Sequence, residues 1–324
     1  MKNFGYTSVR DAGEAVRLAG RTPGAAFVAG GTDLLNLMKD GVTRPEHLID
    51  VNRLDLARIT ENATGLRIGG LARMRGVSEH QAVTRGWPVI SEALLASASP
   101  QVRNMASIGG NLLQRTRCGY FRDSASPCNK RVPGSGCPAL EGWSRGHAVL
   151  GGSDACIAVH ASDLAVALTA LEAVLTVRGQ AGERKIPIGD FYRRPGTTPH
   201  VENALRPGEL ITAVEVPRSQ AARKSKYLKL RDRATFEFAV VSVAVAIDLR
   251  GRSVRDVRLA FGGIGTVPWR SREAENELRG RELSAETVAR AGKALVRDAK
   301  PRHDNEFKVE LVQRALAEVL EGLR

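Results

Sequence analysis

The chain has 324 residues, and its 48 Lys and Arg against 35 Asp and Glu give a net charge of +13; that leaves room for two domains with cores of their own and points to an anionic cofactor, an acidic partner or nucleic acid. Aromatic residues make up only 5% of the chain and no RNP, zinc-finger or helix-turn-helix pattern is present, so base stacking has little to work with and nucleic acid is set aside. The first residues lack the apolar core of a signal peptide and the most apolar run, 238–247, is far too short to span a bilayer, so neither export on a signal of its own nor membrane insertion is expected.

In chain order, residues 11–19 carry the period of a short amphipathic helix, and 26–29 read as a buried strand running into Gly30-Gly31-Thr32-Asp33. A helix over 33–39 follows. Strand, two glycines and helix together suit phosphate, because glycine lets backbone N–H groups approach an anion and the helix points its positive end at it. The same string is also an ordinary strand-turn-helix joint, and it does not fit GxGxxG, so no Rossmann fold is implied. Strands are expected over 47–51 and 65–69. A helix over 87–99 is stopped by Pro100, before a second glycine turn at Ser107-Ile108-Gly109-Gly110-Asn111. Two such turns suit a ligand with two phosphates or two ends.

The chain's only cysteines, Cys118, Cys128, Cys137 and Cys156, come next, with nine, eight and eighteen residues between them. Three readings stand side by side. Two disulfides are unusual in a reducing compartment. A structural zinc prefers close C-x(2–4)-C pairs, which are missing here. An iron–sulfur cluster needs four thiolates converging from separate elements. Arg103, Arg115, Arg117, Arg122, Lys130, Arg131 and Arg145 outnumber Asp123, Glu141 and Asp154 around them, an excess expected to lower thiolate pKa values and offset an anionic cluster.

Beyond the cysteines, Ser162-Asp163 is an N-cap candidate for an apolar helix over 164–171, and 173–178 with 184–188 form a hairpin across Gly179-Gln180-Ala181-Gly182. A strand over 210–217 precedes an apparent linker, 218–223. A new unit begins with strands over 226–231, 236–249 and 254–262, the middle one apolar enough to be covered on both faces, and ends in helices over 271–278, 284–299 and 306–323. Seven basic residues against one acidic residue lie between Arg218 and Arg233, a solvated face or a docking surface. Lys229, inside a strand, is the exception and a ligand candidate.

VAGGTDLLNLMK (28–39), SPQVRNMASIGGNL (99–112), HASDLAVALTALEA (160–173), ELITAVEVP (209–217) and YLKLRDRATFEFAVVSVAVAI (227–247) together resemble the FAD-binding subunit of molybdenum hydroxylases, the family of xanthine dehydrogenase, aldehyde oxidoreductase and carbon monoxide dehydrogenase, over nearly the whole chain. Typical members hold no metal in this subunit. The cysteine segment instead resembles the subgroup represented by periplasmic aldehyde oxidoreductase, whose flavin subunit carries a 4Fe-4S cluster.

The resemblance implies an α+β protein: a vanillyl-alcohol-oxidase/PCMH-type FAD-binding fold of two α/β subdomains over 1–217, with a 4Fe-4S insert at about 115–158, then a CO-dehydrogenase-flavoprotein-type α+β domain of three strands and helices over 218–324. By position, Val28, Ala29, Gly30, Gly31, Thr32, Asp33 and Leu34 would hold the FAD pyrophosphate, Ser107, Gly110 and Asn111 would contribute from the second turn, and Asp163, Ile211 and Lys229 would contact the flavin nucleotide. Cys118, Cys128, Cys137 and Cys156 would ligate the cluster. None of these is a general acid or base. The implied role is an oxidoreductase subunit, an electron relay from a large molybdopterin-binding subunit and a small 2Fe-2S subunit to an external acceptor, periplasmic by co-export with a partner or cytoplasmic. Two other readings are a free-standing flavoenzyme of the same fold and a zinc-stapled basic binding module.

Overall fold

The computed structural model describes all 324 residues. Strand β1 (Gly5–Ser8), helix α1 (Ala12–Arg21), strand β2 (Ala25–Val28), helix α2 (Leu34–Lys39) and strand β3 (His47–Asp50) form a parallel sheet in the order β1-β3-β2. Parallel neighbours need crossover connections: the neighbours β2 and β3 are joined by α2, and the two outer strands by α1. Asp11 caps it by accepting the Glu14 N–H, and Ala15 and Val16 join Ile49 and Val51 in a small core.

β4 (Ile59–Glu61) and β5 (Gly65–Gly69) open a second sheet, after which the chain runs through α3 (Met74–Ser78), α4 (Gln81–Gly86), α5 (Pro88–Ala96), α6 (Pro100–Met105), α7 (Ile108–Leu112), α8 (Gly119–Arg122) and α9 (Asp163–Ala170). The hairpin β6 (Val174–Gly179) and β7 (Gly182–Pro187), α10 (Ile188–Phe191) and β8 (Leu210–Pro217) complete it in the antiparallel order β4-β5-β8-β6-β7. Two expectations are corrected here. Pro100 opens a helix as well as following one: Ser99 caps α6 by accepting the Val102 N–H, and a proline in the first turn lacks only an N–H that no helical bond uses. The second glycine stretch is not an open turn but the single helical turn α7, capped by Ser107.

The last part holds α11 (Gln220–Arg223), β9 (Ser225–Leu230), β10 (Val241–Arg250), β11 (Ser253–Gly262), β12 (Trp269–Arg270), α12 (Arg272–Leu278), α13 (Ala285–Leu295) and α14 (Phe307–Glu321). Its sheet has four strands, β12-β11-β10-β9, where three were expected; the fourth is two residues long, too short to leave a periodic signal. β10 starts at Val241, not at residue 236, and Phe236 and Phe238 stand exposed before it, Phe236 with φ 54°. Both faces of β10 are covered, as its apolar run requires. Val243, Val245 and Ile247 face the tail helices, while Ala244 and Ala246 belong to the core shared with α5 and α9. Alanines on that face let α9 approach the sheet closely, so the two parts share one core. The stretch 218–223 is accordingly no free linker, because Ala221 and Ala222 of α11 are buried in that core.

Candidate functional site

The first glycine turn leaves β2 at Val28. Gly31 has φ +68°, a left-handed conformation that disfavours any side chain, and a Cβ on Gly30 would fall on the carbonyl oxygen of Met105. So the glycines serve the protein's own packing as well as any ligand: they lay this turn on the end of α6, where the chain enters the second one. In α7, Ser107 Oγ accepts the Gly110 N–H at 3.2 Å. Asn111 Oδ1 accepts the Ser162 hydroxyl at 2.6 Å, and Ser162 Oγ in turn accepts the Ala165 N–H to cap α9. The cap is therefore Ser162, which frees the next residue.

Asp163 uses that freedom. Its side chain is 7% exposed, and it accepts from Lys229 Nζ at 2.8 Å, with Lys229 only 3% exposed. Tyr227 donates at 2.6 Å and Ser97 at 2.8 Å; Lys229 also reaches the Ala96 carbonyl at 3.1 Å. Burial first, and Asp163 second, push the Tyr227 hydroxyl well above its ordinary pKa. A buried ion pair needs such extra hydrogen bonds to repay its desolvation.

Between these elements lies a cavity of about 660 Å³, within the range of cofactor pockets. Val28, Ala29, Gly30, Gly31, Thr32, Asp33, Leu34, Ser107, Gly110, Asn111, Asp163 and Lys229 all line it. Ile211 does not: it is buried in β8, its Cβ 3.6 Å from where a Cβ on Gly109 would lie, so it backs the second turn from behind. Sequence reasoning missed Ser97, Val102, Arg115, Arg117, Phe236 and Phe238 in the walls. The two arginines were counted only as charge around the cysteines, and the phenylalanines were placed inside a strand.

The four cysteines are unpaired, so no disulfide links them. All four line one apolar-walled space of about 10 Å³ together with Lys130, Tyr120 and His147. His147 Nε2 lies 3.2 Å from Cys118 Sγ, and the Ala158 N–H donates to Cys156 Sγ at 3.4 Å. No three His, Cys, Asp or Glu side chains are grouped as a single metal ion would need. The expected lowering of the thiol pKa values is not found. Burial pushes Cys118 up to about 12 and also raises Cys137 and Cys156, with Lys130 only partly opposing it at Cys156. Arg115, Arg117 and Arg122, counted as free, are spent with Lys130 on distant carboxylates, and Arg103 and Arg131 on backbone carbonyls. Asp33 accepts from Arg117 at 2.6 Å, Arg122 at 2.9 Å and the Arg115 N–H at 2.9 Å, while Arg115 and Lys130 pair with Glu202 at 2.6 and 3.0 Å. Burial alone would raise the Asp33 carboxyl, but Arg117, the Arg115 N–H and Arg122 hold it below its ordinary value. One carboxylate thus ties the first glycine turn to the cysteine segment.

A family model described as the FAD binding domain in molybdopterin dehydrogenase matches residues 2–219, and one described as the CO dehydrogenase flavoprotein C-terminal domain matches 226–323. The aldehyde oxidoreductase FAD-binding subunit PaoB of Escherichia coli is 50% identical over 100% of this chain and 99% of its own length. The glyceraldehyde dehydrogenase medium chain of Sulfolobus acidocaldarius is 28% identical over 93% of this chain and 90% of its own. Among solved structures, carbon monoxide dehydrogenase of Hydrogenophaga pseudoflava superposes with a TM-score of 0.77 at 26% identity, covering 99% of this chain and 96% of that one.

Proposed function

We propose, on the premise that this chain belongs to the FAD-binding subunits of the molybdenum hydroxylase family, that it is the electron-transfer subunit of a molybdenum-dependent aldehyde oxidoreductase, holding FAD in the 660 Å³ cavity and a 4Fe-4S cluster on Cys118, Cys128, Cys137 and Cys156. We take 1–217 as the flavin-binding unit and 218–324 as the unit that closes the cavity with Lys229. FAD exchanges electrons in pairs or singly, and an iron–sulfur cluster passes them one at a time. The observation that carries the reading is the adjacency of the two sites through Asp33, whose carboxylate belongs to the wall of one and grips the arginines of the other.

The donor set suits a cluster. Four thiols line one space, a backbone N–H and a histidine nitrogen already lie against two of the sulfurs, and hydrogen bonds to sulfur are a means of setting cluster potential. The raised thiol pKa values of Cys118, Cys137 and Cys156 mean that these three lose their protons on ligation rather than before it. In the cavity, Asp163 and Lys229 neutralise each other and Asp33 is held by arginines. With these carboxylates engaged, the walls offer positioning and charge rather than a proton donor for an organic substrate. Substrate oxidation then belongs to a large molybdopterin-binding subunit, with a small 2Fe-2S subunit between the two and an external acceptor beyond the flavin. No helix is long and apolar enough to cross a membrane.

The test is compositional. The purified chain should carry one FAD and about four iron and four sulfide, as a cluster held by four cysteines requires, and should oxidise no aldehyde until the two partner subunits are added. One zinc without sulfide would make it a zinc-stapled module. Robust aldehyde turnover by the chain alone would make it a free-standing flavoenzyme.

A further inference from the structure

Three cations line the cavity, Arg115, Arg117 and Lys229, and neither glycine turn supplies any of them. Arg117 comes from the cysteine segment, immediately before Cys118, yet lines the same cavity as Gly31, Ser107 and Lys229. Its guanidinium is fixed from two sides. One Nη donates to Asp33 at 2.6 Å, and the plane lies over the Phe238 ring, 4.8 Å from its centroid. The remaining donors are poorly used: the other Nη reaches Gln114 Oε1 only at 3.4 Å, and the Nε–H is buried with no partner. Its side chain is still 28% exposed, and Arg115 and Arg122 on either side are committed to Glu202 and Asp33. A planar, pre-oriented guanidinium with donors to spare, beside a cavity of nucleotide size, suits a phosphate or ribose oxygen.

We infer that Arg117 is a contact of the bound flavin nucleotide supplied by the cysteine segment, and that through it the state of the cysteine centre sets flavin affinity. This rests on the FAD and cluster reading above. A cluster fixes Cys118 and with it the backbone that carries Arg117; without the cluster, Asp33, Phe238 and the long contact to Gln114 hold the guanidinium. Coupling between binding free energies is reciprocal, so saturating flavin should also raise the chelator concentration needed to strip half of the iron at equilibrium.

The experiment measures the FAD dissociation constant of the full chain, stripped of flavin, by fluorescence titration, with iron content determined on the same samples. Arg117→Gln should keep its iron and bind FAD about tenfold more weakly or worse, the scale of a lost hydrogen bond to a charged group. Arg117→Lys keeps the pairing with Asp33 but not the fork, and should fall between; it also covers the case in which the glutamine variant fails to fold. Cys128→Ser, without iron, should weaken FAD binding in the same direction, and the double variant Arg117→Gln/Cys128→Ser should be no weaker than Arg117→Gln alone. Wild-type affinity in Arg117→Gln with iron retained, or losses that multiply in the double variant, would overturn the inference while leaving the proposed function standing. A wild-type chain that binds no FAD would overturn both.

Discussion

The cavity proposed for FAD and the space lined by the four cysteines lie against each other but are built in opposite ways. The cavity draws its walls from Ala26 to Phe238, with strand residues from β2 of the first sheet and β9 of the last, and its polar residues are already bonded to one another: Asp163 to Lys229, Tyr227 and Ser97, Asn111 to Ser162. The cysteine centre comes from one continuous stretch, and its thiols engage little besides His147 and backbone N–H groups. Removing a cavity residue strands its buried partners, whereas removing a thiol strands almost nothing. Fold and function therefore share residues in the first region and are separable in the second.

The strongest way to break that contrast is Asp163→Ala. It leaves Lys229, 3% exposed, without its counter-ion, and takes the acceptor from the Tyr227 hydroxyl, while Ser97 keeps the Ala93 carbonyl. Deleting one partner of a buried pair costs about 3–5 kcal/mol, so urea unfolding should move by that amount and flavin should be lost with the fold. A near-wild-type midpoint would mean the network is not structural. Gly30→Ala comes next. Its Cβ would meet the backbone carbonyl of Met105, which cannot swing aside, whereas a Cβ on Gly110 would meet only the Ser107 hydroxyl at 2.9 Å. The first substitution should cost about 1–3 kcal/mol, as overpacking does, and deplete flavin; Gly110→Ala should be the milder of the two in both assays.

How well each region could be read from sequence follows the same contrast. The two glycine stretches and the Ser162-Asp163 helix start were legible because turn and cap chemistry are local, and β8 and β10 because apolar patterning is. The four cysteines were legible as a group because they fall in one stretch of chain. What failed depended on contacts distant in sequence. The arginines looked like free positive charge because Asp33 and Glu202, which neutralise them, lie more than eighty residues away. Thiol pKa values were read from that charge count, and burial, which overrode it, leaves no mark on composition. Residues 218–223 looked like a linker because nothing local says that Ala221 and Ala222 are buried beneath the shared core. The Phe236 and Phe238 rim was absorbed into a strand because aromatic residues favour one, while Phe236 adopts φ 54° instead.

Cys128→Ser probes the separable side. Cys128 is buried but bears no cross-strand or helical hydrogen-bond duty for its sulfur, so the variant should lose iron while its unfolding free energy stays within about 1 kcal/mol of iron-free wild type, the range of a mild substitution. Collapse of the whole fold would show that the segment is as integral as the cavity.

The smallest effect concerns how the tail holds the cysteine segment in place. Lys308, in α14, is 1% exposed and spends its ammonium on two carbonyls, His147 at 3.0 Å and Gly263 at 2.7 Å, so it pins the chain next to the histidine that touches Cys118. Carbonyls stabilise the cation less than a carboxylate would. Burial lowers its pKa from 10.5 to about 7. A buried base with a depressed pKa binds fewer protons when folded than when unfolded across that interval, so stability rises with pH between about 7 and 10.5. The penalty is present in full below the folded pKa and is progressively relieved above it. Lys308→Met has no proton to lose. Urea unfolding of the two proteins at pH 7 and pH 8 should therefore show the wild type gaining on the variant, by at most about 1.4 kcal/mol per pH unit. A stability difference that does not change with pH would mean that Lys308 stays protonated throughout, its two carbonyls being enough to hold the charge.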